Sequence, residues 1–123
     1  MAAALILDAH LASGLAAAWA DHLARDRRRS PHTVRAYAAT AHRLIAFLGG
    51  YAGERVTPTT LTALTSADLR AYLADRRNTG LANASVAREL SAIRGFLAFV
   101  AEREGVEANV PRLRGPRLKP GVP

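Results

Sequence analysis

A chain of 123 residues, half of them hydrophobic and rich in alanine, is long enough for one domain with a modest core. It has no cysteine, which excludes a disulfide framework, a thiolate metal site and a cysteine nucleophile. The formal net charge of +7 is concentrated in two places: residues 25–43 hold six arginines against one aspartate, and residues 112–123 hold three arginines and a lysine with no acid. Such clustering points to an anionic partner more strongly than the total does.

The chain opens on an apolar run, Met1 to Leu7, that is too short for a membrane span and lacks a basic leader segment. A first helix is predicted from about Asp8 to Arg28, with Leu11, Leu15, Trp19 and Leu23 as its apolar stripe. Trp19 reads as a core anchor. Ser30-Pro31 starts the second helix, Ser as N-cap and Pro at the first helical position. Val34, Tyr37, Ala41, Leu44, Ile45 and Leu48 form its apolar face, and Gly49-Gly50 is expected to end it. Its other face carries Arg35, Ala39, His42 and Arg43, with His32 close by and no acid. A helix that is basic or small for about three turns is the footprint of one lying against a polyanion.

A Gly-, Thr- and Pro-containing loop is predicted from Gly49 to Leu64, with Val56, Leu61 and Leu64 turned inward. Thr65 and Asp68 make a capping box for a third helix, with Leu64 and Leu69 in the staple positions, and Gly80 closes it. The last helix runs from about Ala84 to Glu104, with Asn83 as N-cap and Gly105 as stop. Val86, Leu90, Ile93, Leu97 and Val100 are its apolar stripe. Arg88, Ser91 and Gly95 lie opposite, and Arg94 sits on a flank. Pro111, Pro116, Pro120 and Pro123 punctuate an extended basic tail. There are no strand-like alternations and no repeats. The expected fold is all-α: a compact four-helix bundle over residues 1–108 and a basic, Pro-rich segment over 109–123.

Catalytic groups are not legible. Tyr37 and Tyr72 lie on apolar faces, and Tyr51 sits in a glycine-rich loop. His10, His22, His32 and His42 do not make a ligand set with carboxylates, so no metal or cofactor is expected. Neither a small-molecule ligand nor a membrane is expected as partner; the basic helix lacks the large exposed apolar face of an interfacial helix. Three readings stay open: a DNA-binding domain, a helical module meeting an acidic protein, and a helix-turn-helix regulator. The last suffers because no two helices are joined by the short turn it needs.

The ordered set S-P-H-T-V-R-A-Y, A-F-L, L-T-S-A-D-L-R-A-Y-L and S-V-A-R-E-L-S-A-I-R-G-F-L-A-F resembles the N-terminal core-binding domain of tyrosine recombinases over residues 11–119. The S-P-H-T opening is similar to that of the XerC branch. The resemblance implies an orthogonal, SAM-like bundle that grips double-stranded DNA as half of a C-shaped clamp. It implies Arg28, Arg29, His32, Thr33, Arg35, His42 and Arg43 as DNA contacts from the second helix and the turn before it, with Arg27 alongside. It implies Arg88, Ser91 and Arg94 from the last helix, and Arg117 and Lys119 from the linker. Strand cleavage in that family belongs to a C-terminal domain with a tyrosine nucleophile, which these residues do not contain, so this chain alone is not expected to be an enzyme. Its final stretch, A-N-V-P-R-L-R-G-P-R-L-K-P-G-V-P, resembles the linker towards that domain. It departs in having Pro116-Arg117 for the usual Pro-Lys and Val110 between Asn109 and Pro111. The family setting would be the bacterial cytoplasm, with a second recombinase subunit (XerD-like) in a tetramer on DNA. The task would be chromosome dimer resolution, or integration if the protein is of the phage type.

Overall fold

The computed structural model describes residues 2–53, 55–108, 110, 111 and 113, with the backbone alone for 2–11 and 52. All regular structure among them is helical: α1 (Ala2–Arg25), α2 (Pro31–Ala52), α3 (Pro58–Thr62), α4 (Ser66–Asn78) and α5 (Asn83–Arg103). The all-α expectation is borne out, with one helix more than the four predicted. Residues 114–123, with Arg117 and Lys119, and the side chains of His10 and Leu11 lie outside the described residues.

Helix α5 is the hub, since each of the other four packs against it. Its predicted stripe of Val86, Leu90, Ile93, Leu97 and Val100 is buried throughout, and Ala92, Phe96 and Ala101 widen it. From α1, Ala12, Leu15, Ala16, Trp19 and Leu23 enter the same core. The two alanines let the helix axes approach closely, and Trp19 then fills the space between α1, α2 and α5. Its ring stacks on Tyr37 at 5.7 Å and tilts against Phe96 at 5.3 Å.

Several helix ends differ from the sequence expectation. Helix α1 stops at Arg25 because Arg28 adopts φ 50°, and the Arg29 N–H donates back to the Leu23 carbonyl at 2.9 Å. A left-handed arginine is uncommon; here it folds the Arg27–Arg29 run back against the bundle. Helix α2 starts as expected, with Ser30 Oγ accepting from the Thr33 N–H at 3.1 Å. It does not end at Gly49-Gly50 but runs to Ala52, and the left-handed Gly53 (φ 63°) caps it. Glycine weakens a helix without stopping one whose neighbours stay buried, and Leu48 and Val56 are both buried here. Helix α3 occupies the predicted loop. Thr57 and Thr60 cap it reciprocally, Pro58 takes the first position, and Leu61 is driven into the core. The Thr65–Asp68 capping box of α4 forms as predicted, with buried Leu64 and Leu69 on either side. Helix α5 begins one residue early: Asn83 is its first helical residue, and the N-cap is Ala82, which makes no side-chain cap bond.

Candidate nucleic-acid interface

A carboxylate organises one end of the α2–α5 seam. Glu89 sits on the edge of the α5 stripe and is 8% exposed. Four donors meet it. The Tyr72 hydroxyl donates to Oε1 at 2.6 Å. The Arg76 guanidinium forks across both oxygens, with Nε at 3.1 and 3.2 Å and Nη2 at 3.1 Å. Arg43 Nη1 stands 3.3 Å from Oε1. Helices α2, α4 and α5 thus share one charged knot. Burial pushes the Glu89 carboxyl up, but the Tyr72 hydroxyl and the two arginines outweigh it and hold the carboxyl below its ordinary range. Burial, and then the Glu89 carboxylate, push the Tyr72 phenol well above its usual value. The bond to Glu89 raises Arg76 further.

Two grooves flank Tyr37. One is lined by Ala36, Tyr37, Ala39, Thr40, Arg43, Arg76, Leu81, Ser85, Arg88 and Glu89. It gathers the predicted contacts Arg43 and Arg88 from different helices, and adds Arg76, which sequence reading did not single out. Arg88 is exposed and bonds the Ser85 hydroxyl at 3.0 Å through Nη2. The other groove is lined in part by Trp19, His22, Arg27, Arg29, Tyr37, Ser91 and Gly95. It brings the predicted Arg29 and Ser91 together with Arg27. Gly95 faces α1 here: a Cβ on it would lie 3.2 Å from Trp19 Cζ2.

The remaining predicted residues line neither groove. Arg28 is exposed in the turn after α1. His32, Arg35 and His42 are exposed along α2, and half-buried Thr33 is occupied in the Ser30 cap. Arg43 was expected on the face opposite the apolar stripe; it is half-buried at the seam, drawn inward by Glu89. Arg94 points elsewhere. Its Nη2 donates to the backbone carbonyl of Leu113, whose side chain packs on the core. Glu89 itself escaped sequence reading, and the available signal was an acid one step from Leu90 inside a run of buried positions.

No group of three or more His, Cys, Asp or Glu side chains stands together among the described residues, and none of their helices is long and apolar enough to cross a membrane. The exposed Arg25–Asp21 ion pair of α1, at 2.9 Å, contributes little to stability, and His22 Nδ1 stands 2.9 Å from Asp26 Oδ2 just past the helix end.

Residues 16–104 match the family described as phage integrase, N-terminal SAM-like domain. Among curated relatives, a protein named tyrosine recombinase XerC from Mesorhizobium japonicum is 39% identical over 107 residues, covering 85% of this chain and 34% of the relative. One of the same name from Nitrobacter winogradskyi is 36% identical over 107 residues, covering 85% of this chain and 33% of the relative. Another from a Methylobacterium strain is 37% identical over 109 residues, covering 87% and 33%. The chain spans about a third of the length of these relatives. No solved structure matches. The match over most of its length, on helices in the expected order, places the chain in the phage integrase N-terminal SAM-like domain family.

Proposed function

We propose that this chain grips double-stranded DNA as the core-binding part of a site-specific tyrosine recombinase of the XerC type. The observation that carries the reading is the α2–α5 face. Arg27, Arg29 and Ser91 on one side of Tyr37, and Arg43 and Arg88 on the other, line adjoining grooves. Arg35 and His42 are exposed farther along α2. Arginines spread over two packed helices and the turn before α2 suit a duplex, whose phosphates recur regularly, better than a compact acidic ligand.

Roles divide by reach. Arg28, Arg29, His32, Thr33, Arg35, His42 and Arg43 hold phosphates from the turn and from α2. Arg88, at the open margin of its groove, reads a base edge. Arg94, whose Nη2 bonds the Leu113 carbonyl, and Ser91 are further contacts from α5, and Arg117 and Lys119 hold the DNA backbone. Strand cleavage is left to residues beyond those present here. The setting is the bacterial cytoplasm, in a tetramer with a second recombinase subunit, and the relatives' name favours chromosome dimer resolution over phage integration.

A salt titration of duplex binding tests this. Affinity falls steeply with salt in proportion to the phosphates neutralised. A suicide substrate yields no covalent adduct with this chain. Binding that is absent at low salt, or indifferent to salt, overturns the reading.

A further inference from the structure

We infer that Glu89 is a positioning residue that presents Arg43 to a DNA phosphate at the groove between α2 and α5. The inference rests on the DNA-binding reading above and assigns a job to an acid that charge alone would call unfavourable there.

The argument starts from how the charges are shared. Arg76 takes both oxygens of Glu89 and its side chain is 18% exposed, so it is committed to the carboxylate. The Tyr72 hydroxyl completes the set. One guanidinium already neutralises one carboxylate. Arg43 is therefore a surplus cation: it touches Glu89 through one nitrogen at 3.3 Å, and its side chain is 39% exposed. Arg88 and the Ser85 hydroxyl line the same groove. A free arginine loses much rotamer entropy when it binds, whereas one already held by a fixed carboxylate loses less. Glu89 itself cannot wander, because three bonds from Arg76 and one from Tyr72 fix it from α4.

Two effects then oppose one another. Removing the Glu89 charge makes the groove more positive, which by field strength alone tightens DNA binding. Removing it also frees Arg43, which loosens binding. The inference requires the second to win, so the sign of the change decides.

The experiment uses the 123-residue chain, a labelled duplex and three variants: Glu89→Gln, Arg43→Ala and the double variant. Each is checked for folding by thermal melt, and binding is measured well below the melt. The expected result is that Glu89→Gln weakens binding about fivefold, the scale set by ordering one rotamer-rich side chain on binding. Arg43→Ala weakens it and lowers the salt slope by about one. In the Arg43→Ala background, Glu89→Gln causes no further loss. Tighter or unchanged binding by Glu89→Gln overturns the inference, as does an equal loss with and without Arg43. If Glu89→Gln fails to fold, Arg43→Ala decides alone: unchanged affinity and slope overturn the inference. Failure of the unaltered chain to bind duplex strikes the DNA-binding reading instead, and the two failures are distinct.

Discussion

Helix α2 is fastened to α5 at two places by opposite chemistry. At one, Trp19 of α1 fills the gap, stacked on Tyr37 of α2 and leaning on Phe96 of α5. At the other, Glu89 of α5 draws in Arg43 of α2 and Arg76 and Tyr72 of α4. The apolar seam is non-directional, and its stabilisation scales with the area removed from water. The charged seam recovers little net stability, because taking ions out of water offsets much of their attraction. What it adds is direction: it fixes where guanidinium groups stand beside an open groove. One seam supplies most of the stability, and the other supplies placement.

The largest test is Trp19→Ala. It removes a side chain whose ring meets both Tyr37 of α2 and Phe96 of α5, and an aromatic truncation in a core costs about 3–5 kcal/mol. Denaturant unfolding reads it, and a loss under 1 kcal/mol would refute the division drawn between the seams. Glu89→Gln should cost less, roughly 1–3 kcal/mol, since the amide keeps some bonds but leaves Arg76 poorly balanced. Its pH signature is sharper. A carboxyl held below its ordinary pKa of 4.5 adds stability above that value, and the addition is lost as pH falls through the lower folded value. The unaltered chain should therefore lose stability more steeply than Glu89→Gln on the acid side. On the alkaline side the sign reverses. Tyr72 is raised above its ordinary 10.0, so its contribution is complete below pH 10 and is lost as pH rises beyond it. Tyr72→Phe should flatten that limb. Equal acid limbs for the unaltered chain and Glu89→Gln would show the knot to be loose in solution.

The apolar stripe of α5 was legible in the sequence and the charged seam was not, for a physical reason, although Phe96 lay outside the predicted stripe and Gly95, expected on the opposite face, packs against Trp19. Leu90, Ile93 and Leu97 announce themselves by period, because burial demands the same residue class at every third or fourth place. Glu89 breaks that class, and only its partners on α2 and α4, 46 and 13–17 residues away in sequence, make it tolerable. Pattern along one helix carries no record of them. Arg43 was legible as a basic residue but not as a seam residue, for the same reason. The missed helix is a different case. Thr57-Pro58 offers the same start signal as Ser30-Pro31, and Thr57 with Thr60 makes a capping box as Thr65 with Asp68 does. The signal was present, but a five-residue helix leaves no room for a periodic face. At Gly49-Gly50 the local rule lost to packing, and the positive φ that ends α2 falls at Gly53 instead.

Gly95→Ala probes the apolar seam more gently. Alanine in a helix interior is favoured over glycine by about 1 kcal/mol. The new methyl, however, lies 3.2 Å from Trp19 Cζ2, and that ring is held between Tyr37 and Phe96. The neighbour must give by a few tenths of an ångström in a packed core, which costs energy of the same order. The net change should fall within about 1 kcal/mol of zero. A gain of the full propensity difference would mean that Trp19 moves freely and that the seam is looser than its stacking suggests.

The smallest effect on stability should come from Arg88→Ala, and that smallness is its value. Arg88 is exposed, and among the described residues its side chain bonds Ser85, three residues back on the same helix. A surface pair of that kind contributes within about 0.5 kcal/mol. Arg88 nevertheless lines the groove that holds Arg43 and Arg76. If the charged seam exists to place guanidinium groups for DNA, Arg88→Ala should leave the melt unchanged. It should also reduce the preference for a matched duplex over a scrambled one, by about 1–3 kcal/mol if the side chain reads a base. Equal weakening on both duplexes, with a lower salt slope, would move Arg88 to the phosphate-holding group beside Arg43. A melt as damaged as that of Glu89→Gln would instead tie Arg88 to the knot and erase the line between placement and stability at this seam.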